Sequence, residues 1–337
     1  MNQFSLSNST ITTVLYISRS NVVVSDSLVY FLKLEQFSIV ESNSNVTFKE
    51  TDFSSLSAAT FCVLRESSYT MEFVYFTNIR INSVLSLNYS SANLLNSSFV
   101  VVESSESIIV AHDSKIVIQL VDVSDVVFAN FVSLVSSTLV LEDTVLSSNI
   151  TSLQSFLIGS YDVVQFKDLG VHSLFTPSNH PLLKLNNSKF YGDRLSFELL
   201  TCCLFEFTTT QIQMLNTSFS SINSSTLGHV LDSSLVLTSS DFFNLLVNDH
   251  GTLISFVNSY FSFNNVSLAS IKASSIFTVE DSEAKFNISS FSEIVSIYAF
   301  QFSSSSSCSM ENTVISDGLN DVTFLFKTRP SIYSIQR

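Results

Sequence analysis

Three observations predict an all-β fold for this chain: a single right-handed parallel β-helix of about 14 turns, with 23–24 residues per turn. The first is a recurring unit. Phe263, Leu268, Ile271, Phe277 and Val279 return one unit later as Phe286, Phe291, Ile294, Phe300 and Phe302, and one unit after that as Met310, Ile315, Phe324 and Phe326. The second is alternation within the unit. Val46 with Phe48, Leu139 with Leu141, Leu235 with Leu237 and Phe261 with Phe263 each flank one residue, the period of a strand with one face buried. The third is composition. Ser, Val, Phe and Thr dominate, and β-branched and aromatic residues suit a pleated surface.

From the N-terminus onward, each unit is justified by its place in apolar columns. The first position recurs at Met1, Val24, Phe48, Met71, Leu94, Ile118, Leu141, Val164, Phe190, Met214 and Leu237 before Phe263. In the +5 column stand Leu6, Val29, Phe53, Phe76, Phe99, Val123, Leu146, Leu169, Leu195, Phe219 and Phe242. A column at +16 holds Ile17, Val40, Leu64, Leu87, Val110, Leu134, Leu157 and Val230, slipping at Leu185, Phe207 and Phe256. One unit cannot bury its own apolar side, but stacked units bury a continuous core. A polar column at +19 (Ser20, Asn43, Ser67, Ser90, Asp113, Ser137, Ser160, Thr209, Ser233, Ser282 and Ser305) supplies small hydrogen-bonding groups that can cap successive corners. No break in register marks a linker, so residues 1–337 are expected to form one solenoid. Met1–Ser20 has no charged leader followed by an apolar core and is already in register, which leads us to expect a segment of a longer protein.

This pattern resembles the pectin-lyase-like superfamily of right-handed parallel β-helices, including its repeat-rich surface proteins. A leucine-rich repeat is disfavoured, because its L-x-x-L-x-L spacing and fixed Asn are missing. Right-handedness follows from the general hand of parallel crossovers. The resemblance implies an elongated scaffold whose enzymatic members work from an outward face lined by loops. Polygalacturonases carry short Asp, His and Arg-Ile-Lys motifs in fixed order. Here Asp249-His250-Gly251 and Arg80-Ile81-Asn82 stand incomplete and in the reverse order.

The formal charge of −14, with 15 Lys plus Arg, disfavours nucleic acid and anionic membrane as partners. No apolar run reaches the length of a membrane span. Cys62, Cys202, Cys203 and Cys308 form no disulfide framework and are expected as buried free thiols, with Cys202 and Cys203 facing opposite ways in a strand. Ten N-x-Ser/Thr sequons, at Asn8, Asn45, Asn88, Asn96, Asn149, Asn186, Asn216, Asn223, Asn265 and Asn287, make N-glycosylation and an extracellular or cell-surface location the expectation.

Chemistry has one candidate locus. Two lengthened units carry insertions around His172–Pro181 and Val247–Gly251, at the same corner. Beside them runs an expected outward column of Lys184, Glu206, His229, Ser255, Thr278 and Gln301, whose N-terminal equivalent is Ile39, Val63, Ser86 and Ile109. Glu206 could orient the His229 imidazole, with Asp249 and His250 close by, while Lys184 and Ser255 are candidates for contacting carbohydrate. Asp26, Glu50 and Asp52, on adjacent turns, could attract a cation, but no metal site and no cofactor is assigned. The primary expectation is a non-enzymatic surface or secreted solenoid for adhesion, stalk or display, with carbohydrate or a cell-surface protein as partner. The alternative is a divergent polysaccharide lyase or hydrolase at the loop-bearing corner of the units around 164–263.

Overall fold

The computed structural model describes residues 5–6, 9–30, 32–147, 149–176, 180–247, 251–303, 305–316, 324–326 and 333–336. The chain is all-β: 79% of it is strand, no helix forms among the described residues, and the strands coil into a parallel β-solenoid of about 12 turns. The expected count was higher because its columns ran to both chain ends, where Met1 and parts of the outermost units lie outside the described residues. Two compact units are formed, one from 1–165 with 173–177 and the other from 166–172 with 178–337.

One turn of the first unit shows why these residues coil. Strands Ser91–Leu95, Ser98–Ser104 and Ser107–His112 lie over Lys115–Gln119, Asp122–Phe128 and Asn130–Val135 of the next turn. All three pairings are parallel. Between and within the strands the backbone bends at left-handed residues: Tyr89 at the first corner, Asn96 at the second and Val101 at the third, with φ of 48°, 48° and 54°. The same three positions recur from turn to turn, occupied mostly by Asn, Asp and Ser, whose side chains tolerate this conformation.

The first corner is held by a ladder of hydroxyls. Ser44 N–H donates to Ser67 Oγ (3.3 Å), Ser67 N–H to Ser90 Oγ (3.2 Å), Ser90 N–H to Ser114 Oγ (3.0 Å) and Ser114 N–H to Ser137 Oγ (3.2 Å). Each hydroxyl also donates to a carbonyl just upstream, as Ser90 Oγ does to Asn88 O at 2.7 Å. The second unit repeats the device through Thr210, Ser233, Ser259, Ser282 and Ser306. The expected capping function is therefore present, but several members are corrected. Ser44, Ser114, Asp162, Thr210 and Ser306 replace Asn43, Asp113, Ser160, Thr209 and Ser305. Asn43, Asp113 and Thr209 are instead the left-handed residues immediately before the ladder, a position that also takes Glu66, Tyr89 and Tyr161 and so is less selective than the ladder itself.

The core is lined by the apolar columns. Val24, Phe48, Met71, Leu94, Ile118 and Leu141 are successive partners in the first unit. Phe53, Phe76 and Phe99 stack with centroids 5.3 and 4.9 Å apart. In the second unit the first column runs Gly192, Met214, Leu237, Phe263, Phe286 and Met310. Gly192, not Phe190, is the partner of Met214, and Val171 and Phe197 replace Leu169 and Leu195 in the next column. A two-residue shift leaves inward residues inward, so alternation cannot detect it. Phe197 extends the stack through Phe219 to Phe242, at 5.3 and 4.6 Å.

The +16 column is corrected in two turns: Leu87, Ala111, Leu134 and Gly159 are partners, in place of Val110 and Leu157. Ile109 is fully buried and Val110 faces outward, reversing their expected places. Two consecutive buried residues, such as Ile108 with Ile109 or Phe61 with Cys62, enter the third strand of each turn. That doublet breaks strict alternation and hid the register. In the turn of Cys202 and Cys203 the equivalent doublet is Leu204 with Phe205, and both cysteines, just before it, are buried rather than divided between faces. All four cysteines are free and buried, as expected. Burial pushes the Cys62, Cys203 and Cys308 thiols up to about 12.

The corners can be tested through stability. Ser90→Ala removes the acceptor of a buried N–H and should cost about 1–3 kcal/mol in urea unfolding, whereas exposed Asn88→Ala should stay within about 0.5 kcal/mol. At the third corner Val101 holds φ 54° with a β-branched side chain, so Val101→Asn should raise the unfolding midpoint. A loss of stability in Val101→Asn would contradict the left-handed assignment.

Candidate functional site

The proposed outward column is assembled in the second unit. Lys184, Glu206, His229, Ser255, Thr278 and Gln301 are direct partners on successive strands. Both insertions also fall at the expected corner. The offset from Val171 to its partner Phe197 is longer than that from Pro181 to its partner Cys203, which places the extra residues before Pro181. Ile222 and its partner Leu245 keep the ordinary spacing, but Gly228 and its partner Ile254 are more widely separated, placing the second insertion between Val247 and Thr252. Asp249 and His250 lie outside the described residues.

The electrostatics of this column differ from the expectation. Glu206 Oε1 pairs with Lys184 Nζ at 2.8 Å, with both side chains close to half exposed. Glu206 makes no hydrogen bond or ion pair with His229 among the described residues, although their strands are adjacent. The carboxylate is therefore occupied by an ammonium one turn below and does not hold the imidazole. An exposed pair of this kind contributes little to stability and is screened by salt. Sequence reasoning missed the histidine–carboxylate pair that does form, His172 Nδ1 to Glu198 Oε2 at 3.2 Å. Its signal was the lengthened unit, whose offset places His172 opposite Glu198.

Gly228, next to His229, is required by close packing. A Cβ there would meet the Phe205 ring at 2.0 Å. This glycine lets Phe205 fill the core beneath the Glu206–His229 surface.

No group of three or more His, Cys, Asp or Glu side chains is arranged to hold a metal among the described residues, so Asp26, Glu50 and Asp52 are not assembled as a cation site. Arg80, from the Arg-Ile-Asn match, lines a groove of about 420 Å³ in the first unit with Ser57, Asn82, Glu103, Ser105 and Val127. Its Nε pairs with Glu103 Oε2 at 2.8 Å.

Nine sequon asparagines are described, and none is buried; Asn8 lies outside the described residues. Asn96, Asn149, Asn216 and Asn265 occupy left-handed corner positions. Asn88, Asn186 and Asn287 have another origin. Each is followed by a left-handed residue and then by a buried serine (Ser90, Ser188 or Ser289), so the corner itself writes N-x-S.

Asp162 is the one carboxylate found in the hydroxyl ladder among the described residues. It is buried, and its Oδ1 accepts the Ser137 N–H at 2.7 Å. Burial raises its pKa to about 6 from the ordinary 3.8, with the backbone amides of Ser137 and Ser160 opposing the shift.

No family model matches the chain, and no curated protein matches it. Solved structures similar to it include the A-module of the mannuronan C-5 epimerase AlgE4 of Azotobacter vinelandii, at 8% identity and a TM-score of 0.33, covering 94% of this chain and 91% of that one. A polygalacturonase of Erwinia carotovora ssp. carotovora is similar at 7% identity and a TM-score of 0.34, covering 98% of each chain. PfbA, a surface adhesin of Streptococcus pneumoniae, is similar at 10% identity and a TM-score of 0.29, covering 79% of this chain and 83% of that one. At these identities and TM-scores none bears on activity; the parallel coil stands on the register of this chain's own strands.

The Asp162 geometry gives a pH prediction. A raised folded-state pKa means that the protonated form is favoured on folding. That stability is fully present below about 3.8 and is lost as pH rises through about 6. Asp162→Ser should therefore raise the melting temperature at pH 7.5, and the gain should shrink to near zero below pH 4. An equal gain at both pH values would remove the ionisation argument.

Proposed function

We propose that this protein is a non-enzymatic extracellular or cell-surface β-solenoid, acting as an adhesion, stalk or display scaffold and carrying N-linked glycans. The observation that supports this reading most is the state of its one candidate catalytic column. Glu206 is neutralised by Lys184 in an exposed pair, and His229 stands beside it without a carboxylate partner among the described residues. General acid–base catalysis by this pair needs the carboxylate aimed at the imidazole, and here Glu206 is turned to Lys184 instead. The nine described sequon asparagines are not buried, in keeping with glycan attachment. No helix among the described residues is long and apolar enough to cross a membrane. Carbohydrate or a cell-surface protein is the partner class suited to an acidic surface rich in Ser, Thr and Asn.

A second reading, a divergent polysaccharide lyase or hydrolase, is favoured by the assembled Lys184–Glu206–His229–Ser255 column beside the two insertions. A glycan array combined with a reducing-end assay separates the two. Binding without new reducing ends is the expected result. Cleavage that disappears in both Glu206→Ala and His229→Ala would replace the scaffold reading with the enzymatic one.

A further inference from the structure

We propose that the second-corner edge of the first unit is a docking surface for a basic amphipathic helix. Two adjacent outward columns form it. The left-handed corner positions are Asp26, Glu50, Phe73, Asn96, Leu120 and Asp143. Next outward along each strand stand Leu28, Asp52, Tyr75, Ser98, Asp122 and Val145, which are direct partners from turn to turn.

Three features set this edge apart. Its five carboxylates (Asp26, Glu50, Asp52, Asp122 and Asp143) are exposed, and none joins an ion pair among the described residues. Neighbouring cations are committed elsewhere: Lys49 to Glu72, Arg65 to Glu41 and Arg80 to Glu103. Second, large apolar side chains are left in water between the carboxylates, with Leu28 at 47%, Phe73 at 37%, Tyr75 at 43%, Leu120 at 50% and Val145 at 39% exposure. Third, Phe73 and Leu120 hold φ of 53° where Asn or Asp is easily accommodated, so bulky groups are kept at local conformational cost.

The corresponding edge of the second unit lacks this character. Its described corner positions are Asp168, Arg194, Asn216, Ser239, Asn265, Ile288 and Asn312, and its flanking column is Gly170, Ser196, Ser218, Asp241, Ser267, Ser290 and Val314. Of its two carboxylates, Asp168 is paired with Arg194 and Asp241 stands alone, and the exposed Ile288 and Val314 lie on other turns. The contrast shows that the corner geometry does not itself demand acidic and aromatic residues.

Charge and spacing specify the occupant. At ~4.8 Å per turn, Asp26 to Asp143 spans about 24 Å, the length of roughly 16 helical residues. The carboxylates gather at the two ends, around Asp52 and Asp122, about 14 Å apart, with Phe73 and Tyr75 between them. The fitting partner is a helix with Lys or Arg clusters about ten residues apart flanking an apolar face. This inference does not depend on the scaffold reading, because it concerns a different unit and a different chemistry.

The test uses the full chain produced in bacteria, so that Asn96, within the edge, carries no glycan. The probe is an amidated amphipathic peptide of about 18 residues, with Lys pairs near both ends and Leu and Phe between them, followed by fluorescence anisotropy. Saturable binding that weakens with added salt is expected. Asp122→Asn with Asp143→Asn should weaken it about ten-fold or more. Phe73→Asn with Leu120→Asn should weaken it comparably while the melting temperature is unchanged or higher, which separates lost binding from lost folding. Asp241→Asn in the second unit should leave binding unchanged. The proposal is overturned by no binding, by binding indifferent to the edge variants, or by oligolysine of equal charge binding as tightly as the amphipathic peptide.

Discussion

The structure depends on turning corners in the left-handed region without relying on glycine. The chain has only six glycines, and Asn, Asp, Ser and even Phe, Tyr, Val and Leu supply the bends. Such a conformation is costly for an isolated residue and persists only where the surroundings fix it. Here the ladder at the first corner does so. Each buried hydroxyl accepts an N–H from the preceding turn and donates to a carbonyl of its own turn, so corner backbone groups removed from water are satisfied. Backbone pairing, aromatic stacking and the hydroxyl ladder repeat with one translation, and each turn templates the next.

That arrangement separates structure from function cleanly. Inward columns and ladder positions are fixed by packing, leaving the outward columns free to vary. The two units use that freedom differently. The first carries carboxylates and exposed aromatics along its second-corner edge, while the second carries Ser, Asn and the Lys184–Glu206–His229 column. Among the described residues Asp162 is the exception in which a titratable group enters the ladder itself, where burial opposes its ionisation.

Most of the fold was legible because its signal repeats. The one-unit translation of Phe263, Leu268, Ile271, Phe277 and Val279 is matched in the strand register by Phe286, Phe291, Ile294, Phe300 and Phe302. Legibility failed where the repeat changes length. Around Phe190 a two-residue slip preserved inward and outward faces, so Gly192 was missed. At Val110 a buried doublet shifted the face by one, so Ile109 and Val110 exchanged roles. The candidate column was legible as a column, because cross-strand neighbours follow from register. Its chemistry was not, because the choice of Glu206 between Lys184 and His229 is made by side-chain geometry on an exposed face. The acidic and aromatic edge was also missed. Asp26, Glu50 and Asp52 were noticed as carboxylates, while Phe73 and Tyr75 could not be placed outward without knowing where the corner lies.

The central claim is a parallel register fixed to the residue, and cross-linking tests it most directly. In the pair Ser86→Cys and Val110→Cys the two positions face outward on neighbouring turns, and a short bismethanethiosulfonate linker should join them rapidly and within one chain. In the pair Ser86→Cys and Ile109→Cys the second thiol is buried and should stay unreacted. Cross-linking of the second pair in preference to the first, or of neither, would contradict the coil described here.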